Sequence, residues 1–217
     1  MRKWPFLLAG LAAVVLSAVG ARAAGGPPSP GVQVADGVQQ AAQAPVVVLH
    51  DALIAAMKAG KSTPFADRER RLEPVIARAF DLPAVTETAA GPYWSRMSEQ
   101  ERKSLIDAFA AYSVAKYAAN FDSFSGQRFE IVGQKPGPGD SVWVLARFVS
   151  GGEKPINFNY LVKPSQDGWR IVDVYTAGSI SEVSTQRSQF MSILRDRGVP
   201  GLLKALAERT GKLEHDA

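Results

Sequence analysis

The sequence predicts an α+β fold in which an antiparallel sheet is covered by helices from both ends of the chain. Between Val142 and Tyr175, three runs rich in Val, Ile, Phe, Tyr and Trp are separated by Gly and Pro punctuation at hairpin spacing. A further run from Gln127 to Gln134 precedes them and makes about four strands. Apolar residues at helical spacing before and after these runs supply the covering helices.

The strands carry apolar side chains on both faces of the predicted sheet. By strict alternation, Val144 and Trp143 point to opposite faces, and so do Val174 and Ile171. A sheet with one face in water has polar residues at every second position instead. Both faces therefore need cover, and the helices either pack tightly against the sheet or leave an apolar space beside it.

The first residues have the order of a secretory signal peptide, which we place at residues 1–23. Arg2 and Lys3 are followed by an apolar run from Phe6 to Val19 and then by Ala21-Arg22-Ala23, in which small residues stand at the positions before a cleavage site. The run is about 14 residues long, whereas a membrane-spanning helix needs about 20. We therefore expect cleavage after Ala23 rather than a permanent anchor, and a periplasmic location.

The rest of the chain is predicted to hold one linker and one domain. Residues 24–44 are rich in Gly, Pro, Gln and Ala and lack a periodic apolar stripe, which is typical of a flexible linker. Residues 45–213 have no internal repeat and are long enough for one substantial core.

Helix signals flank the strand region. Ser98 and Glu101 have capping-box spacing, which marks the start of a long helix. The predicted helices are Val46–Met57, Ala66–Ala79, a short one after Asp81-Leu82-Pro83 that ends near Gly91, one from Ser98 to about Asn120, one that ends at Gly198, and one from Pro200 to Gly211.

Composition argues against several classes of function. The formal charge of +4 falls to +1 without Arg2, Lys3 and Arg22. A net charge this small gives little support for a nucleic-acid partner. With two histidines and no cysteine, the chain cannot form a zinc site of the usual composition or a Cys-His nucleophile. We therefore predict no metal, no cofactor and no catalytic residue.

Asp173 leaves one enzymatic alternative open. It lies in an apolar strand, where burial could raise the pKa of its carboxyl enough for it to act as a general base in a small cone-shaped enzyme. Alternatively, Asp173 pairs with Arg147 or Arg170, or faces water.

Four short motifs follow one another in a characteristic order. They are Phe80-Asp81, Gly91-x-x-Trp94, Trp169–Val174, and Arg187–Phe190 with Gly198 and Leu203 downstream. In order and spacing, residues 45–210 resemble the MlaC family of periplasmic lipid carriers. The resemblance implies a curved antiparallel sheet of about four strands, wrapped by N- and C-terminal helices around an apolar cavity that holds acyl chains. It also implies shuttling between an inner-membrane ABC-type lipid transporter and an outer-membrane partner.

One segment departs from the common pattern of the family. Many members have a glycine two residues before the serine aligned with Ser181, and a hydrophobic residue just after it. Here these places hold Ser179 and Glu182, with Gly178 one position earlier. This variant is more similar to the HpnM branch, which is associated with hopanoid-producing bacteria, so the expected ligand is a phospholipid or a hopanoid.

A carrier must enclose its lipid. Two acyl chains of about fifteen methylenes each represent about 24 kcal/mol of exposure to water that has to be avoided. The predicted wall of the cavity consists of Phe109, Tyr112 and Tyr117 from the long helix, with Val144, Phe148, Phe158, Tyr160, Val172 and Val174 from the sheet. If these side chains instead fill a closed core, a structural or adaptor protein is the alternative. The hydroxyls of Tyr112 and Tyr117 either stand at the rim of the cavity or reach the surface or a backbone carbonyl.

Overall fold

The computed structural model describes residues 31–217 apart from Glu153 and Gly178. The predicted signal peptide and residues 24–30 of the predicted linker lie outside the described residues. In chain order the elements are α1 (Gly31–Ala59), α2 (Phe65–Ala79), α3 (Leu82–Ala90), a 3-10 turn (Gly91–Arg96), α4 (Glu99–Asn120), β1 (Arg128–Pro136), β2 (Val142–Val149), β3 (Ile156–Ser165), β4 (Gly168–Thr176), β5 (Ile180–Ser181) and α5 (Glu182–Asp216). The α+β fold is confirmed, and a two-residue fifth strand joins the four that were predicted.

Helix α1 begins at Gly31, so residues 31–44 are helical where a flexible linker was predicted. Alanine and glutamine are good helix formers and can extend a helix that packing has already fixed. The helix continues through Pro45 into the core. Gln40–Ala59 is long and apolar enough to span a membrane by length and composition. Its apolar stripe is instead buried in the core of the domain: Ala42, Val46, Leu49, Leu53 and Met57.

The junction between α2 and α3 is attached to the sheet through the Phe80-Asp81 motif. Phe80 forms a bridge to Ile171 of β4, and the Asp81 backbone N–H donates to the Ile171 carbonyl at 2.9 Å. The Asp81 side chain also caps α3, because its Oδ1 accepts from the Ala84 N–H at 3.0 Å. One dipeptide thus fixes both the start of α3 and its position beside β4.

Helix α4 begins with the predicted capping box. Ser98 Oγ accepts from the Glu101 N–H at 3.2 Å, and Glu101 Oε2 accepts from the Ser98 N–H at 2.9 Å. This reciprocal pair satisfies two backbone donors and sets the start of the helix.

The five strands form an antiparallel sheet in the order β1-β2-β3-β4-β5. Its register shifts in β4, where Ile171 pairs with Val162 and Asp173 with Leu161, so that Val172 is left as the extra residue of a bulge. The bulge reverses the alternation, and Ile171 and Val174 both lie in the core that faces the helices. The prediction that these two side chains point to opposite faces is therefore wrong.

The helices cover one face of the sheet. A sheet cluster packs α1, α2 and α4 against the strands, and it includes Leu49, Ile76, Val144 and Ile171. On the other face, Trp143 and Tyr175 meet edge to face with ring centroids 4.7 Å apart. Both are half-buried and belong to neither hydrophobic cluster, so within residues 31–217 the expected helical cover on both faces is not found.

A second cluster packs the helices against one another. This helix cluster joins α3, α4 and α5 and includes Leu105, Phe109, Phe190 and Leu206. Gly198, with φ 62° and ψ −168°, interrupts α5 where a helix end was predicted. The helix resumes and continues to Asp216, beyond the predicted end at Gly211.

Candidate functional site

A cavity of about 170 Å³ lies between the sheet cluster and the helix cluster. Its wall is mostly apolar and draws on helices α1 to α5 and on strands β1, β3 and β4. The apolar and aromatic lining residues are Leu53, Ile76, Phe80, Leu82, Val85, Phe109, Tyr112, Tyr117, Phe121, Phe129, Phe158, Tyr160, Val174 and Val183. The polar lining residues are Ser113, Lys116, Asn120, Asp173, Thr176, Glu182 and Gln186.

Six of the nine residues predicted from the sequence lie in this wall. They are Phe109, Tyr112, Tyr117, Phe158, Tyr160 and Val174. On α4, Tyr112 follows Phe109 by three residues and Tyr117 follows Phe109 by eight, so all three lie toward one side of the helix. On the sheet, Tyr160 and Val174 are directly paired across β3 and β4.

Val144, Phe148 and Val172 lie elsewhere, which corrects their assignment to the cavity. Val144 is fully buried in the sheet cluster. Phe148 packs in an aromatic group there, with its ring centroid 4.9 Å from that of Phe129. Val172 is half-buried at the bulge, outside both clusters. The first two face the helices as expected, but neighbouring side chains fill the space in front of them.

Sequence reasoning missed the contributions of α1 to α3 and of the polar groups. The face of α4 that carries Phe109, Tyr112 and Tyr117 also contains Ser113, Lys116 and Asn120. The i, i+3, i+4 spacing would have placed these polar residues in the wall. No local signal places Leu53, Ile76 or Val85 there, because their position depends on how separate helices pack.

The polar part of the wall contains an ion pair. Lys116 Nζ lies 2.9 Å from Glu182 Oε2, and their side chains are 31% and 33% exposed. The pair joins α4 to the first turn of α5 and remains accessible to solvent. At such exposure the pair contributes little to stability.

Two tyrosines stay protonated in the wall. Burial, assisted by the charge of Glu182, raises the pKa of Tyr117 far above its usual value. Burial likewise raises the pKa of Tyr160. Their hydroxyls are therefore neutral hydrogen-bonding groups at every physiological pH.

Tyr160 connects the cavity to a buried histidine on α1. His50 Nε2 and the Tyr160 hydroxyl share a hydrogen bond of 3.0 Å, and the imidazole stacks on Phe129 with centroids 4.1 Å apart. Burial lowers the pKa of His50 to about 4. The histidine is thus neutral at pH 7 and serves as a core residue.

This shifted pKa predicts a pH-dependent loss of stability. Because the pKa of His50 is lower in the folded protein than its ordinary value of 6.5, the unfolded chain binds the extra proton first. The stabilisation is fully present above about pH 6.5 and is lost as the pH falls towards 4, by up to about 3 kcal/mol. We expect urea unfolding of His50→Gln to depend less on pH than the wild type between pH 7 and 4. His215→Gln, at the exposed end of α5, serves as the control and should keep the wild-type slope. An unchanged slope in His50→Gln would contradict this account.

Asp173 ties β4 to the start of α5. Its Oδ2 accepts from the Ser181 hydroxyl at 2.6 Å, and its Oδ1 accepts from the N–H groups of Val174 and Val183 at 2.7 and 3.1 Å. Burial raises the pKa of Asp173, while these three donors oppose that shift. Arg147, one of the partners considered above, pairs with Glu130 instead. Both carboxylate oxygens are engaged by the protein itself, which is the arrangement of a structural capping residue rather than of a free base.

Among the described residues, no group of three His, Cys, Asp or Glu side chains is placed to hold a metal ion.

Comparison with known proteins agrees with this architecture. No curated protein matches the chain. A solved structure of a phospholipid-binding protein from Ralstonia solanacearum, in complex with a phospholipid, superimposes with a TM-score of 0.70 at 24% identity. The match covers 79% of this chain and 98% of that one, and it shows a shared fold. The family described as MlaC protein matches residues 48–208, so this chain belongs to the MlaC family.

Proposed function

We propose that this protein is a periplasmic lipid carrier that encloses the acyl chains of a membrane lipid in the cavity between the sheet and helix clusters. The apolar cavity between two otherwise well-packed clusters is the observation that carries the proposal. Membership of the MlaC family and the phospholipid bound to the Ralstonia solanacearum protein support it. Residues 1–23 act as the signal peptide that directs the lipid-binding domain, residues 45–213, to the periplasm.

Loading requires the cavity to widen. Its volume of about 170 Å³ is below the roughly 300–1,000 Å³ of typical small-molecule sites. The cavity lies between two clusters that share α4, so it can widen when the rest of the helix cluster moves away from the sheet. The turn at Gly91, where φ is 57°, and the proline inside α2, Pro74, are the candidate hinges.

The cargo is a phospholipid, with a hopanoid as the alternative. The hopanoid alternative rests on the segment Ser179–Glu182, which is similar to the HpnM branch. Glu182, whose place is hydrophobic in many members, lines the cavity and pairs with Lys116. A charged pair at this position gives the ligand a polar partner that an aliphatic residue would not provide.

The test is organic extraction and mass spectrometry of the mature protein, gently purified from a host that makes both lipid classes. We expect about one lipid molecule per protein, and its identity decides between phospholipid and hopanoid. Protein that folds normally but carries neither class would overturn the carrier function and favour a structural or adaptor role.

Transfer between membranes is the second part of the proposal. We expect the protein to exchange lipid with an inner-membrane ABC-type transporter and with an outer-membrane partner. Pull-down with solubilised transporter subunits, using lipid-loaded and emptied protein, measures this. Failure of both forms to bind would argue against shuttling while leaving lipid binding intact.

A further inference from the structure

Gln186 is a buried side chain with an unpaired acceptor in the cavity wall. The residue is 7% exposed, and its Oε1 has no hydrogen-bond partner among the described residues. A buried carbonyl oxygen without a donor is unfavourable, because it loses its bonds to water and gains none in return. A ligand group that bonds to it would relieve this cost.

The surroundings of Gln186 combine apolar walls with one polar site. Gln186 lies one helical turn after Glu182 on α5, so both side chains project from the same face of the helix and line the cavity. Glu182 in turn pairs with Lys116 across to α4 at 2.9 Å. The ion pair is about one-third exposed while Gln186 is buried, so the amide is more shielded from solvent than the charges. The charged head group of a bound lipid would therefore lie near the ion pair, and its apolar body would begin near Gln186.

We propose that Gln186 binds a hydroxyl group of the cargo at the junction between its polar head and its apolar body. This inference rests on the proposed carrier function. A carboxamide offers both an acceptor and donors, and a hydroxyl can both donate and accept. An ether or ester oxygen only accepts and leaves Oε1 unpaired. Within the proposed cargo classes, the site thus selects a phospholipid with a free glycerol hydroxyl or a hydroxylated hopanoid over a phospholipid whose glycerol hydroxyls are both esterified.

The test uses two probes that differ in one hydrogen-bond donor: 1-dodecanol and its methyl ether, 1-methoxydodecane. Each displaces a fluorescent apolar dye from the emptied wild-type protein and from variants. The measured quantity is the affinity for the alcohol divided by the affinity for the ether. We expect this ratio to be roughly tenfold higher in the wild type than in Gln186→Leu. Comparing ratios between variants cancels the different solubilities of the two probes.

A matched control distinguishes this effect from a general one. Gln189→Leu makes the same change at an exposed position of the same helix and should keep the wild-type ratio. If Gln186→Leu fails to fold by circular dichroism, Gln186→Met removes the amide with little change of shape and should lose the preference in the same way. An equal ratio in wild type and Gln186 variants would overturn the inference while leaving the carrier function intact. A wild type that binds neither probe would also overturn the inference, and the carrier function would fall with it only if no lipid is extracted from the protein.

Discussion

Replacing Val174 with tryptophan is expected to reduce the lipid that remains bound through purification to about a tenth of the wild-type amount or less. Val174 lies in the cavity wall, 8% exposed and directly paired with Tyr160 on the neighbouring strand. An indole built at this position extends into a cavity of only about 170 Å³ and takes the place of an acyl chain. Overfilling the space costs roughly 1–3 kcal/mol, which corresponds to a factor of about 5 to 160 in the binding equilibrium.

The measurement is the molar ratio of extracted lipid to folded protein. The control is Val172→Trp, which makes the same change two residues earlier on the same strand. Val172 lies at the bulge and outside the cavity wall, so its variant should retain lipid. A Val174→Trp protein that folds and still carries the wild-type amount of lipid would show that the acyl chains lie elsewhere.

The contrast between these two valines also shows how far strand patterns can predict the site. Strict alternation places Val172 and Val174 on one face and Ile171 on the other. The bulge at Val172 adds one residue to β4 and moves Ile171 to the face of Val174. Nothing in the local sequence marks this bulge, because Trp169–Tyr175 is apolar enough to suit either register. Its position is decided by pairing with β3.

Helix periodicity was the more reliable guide. The stripe on α4 correctly brings Phe109, Tyr112 and Tyr117 together, because the positions on one helix face follow from local geometry alone. The absence of helical periodicity was a poorer guide for residues 31–44. Their lack of a periodic apolar stripe predicts a linker, yet they continue α1 because a helix already fixed by packing adds each further residue at little cost.

The presence of a cavity could be anticipated, but its boundaries could not. An excess of apolar residues shows that much surface needs cover, and the same residues would suit a solid core. Whether they leave a space depends on contacts between segments far apart in sequence, such as Leu53 of α1 and Val183 of α5. Gln186 is missed for the same reason, since its burial comes from the packing of α5 and not from its sequence neighbours.

Truncating Phe190 is expected to produce the largest loss of stability among the substitutions considered. Phe190 is fully buried in the helix cluster, and its ring meets that of Phe109 edge to face with centroids 5.5 Å apart. Phe190→Ala should lower the free energy of unfolding by about 3–5 kcal/mol, through lost burial and an unfilled space. For a domain of this size the melting temperature should fall by roughly 6–20 °C.

Phe124→Ala provides the comparison, because Phe124 is 42% exposed and its truncation should change stability by less than about 0.5 kcal/mol. Urea denaturation of both variants measures the difference.

Phe109 lies in the helix cluster and in the cavity wall, so the helix cluster supports one side of the cavity. Phe190→Ala should therefore also speed lipid loss from protein that is still folded, as measured by transfer to vesicles. A large loss of stability with an unchanged rate of lipid loss would show that the helix cluster supports the fold but does not hold the cavity closed.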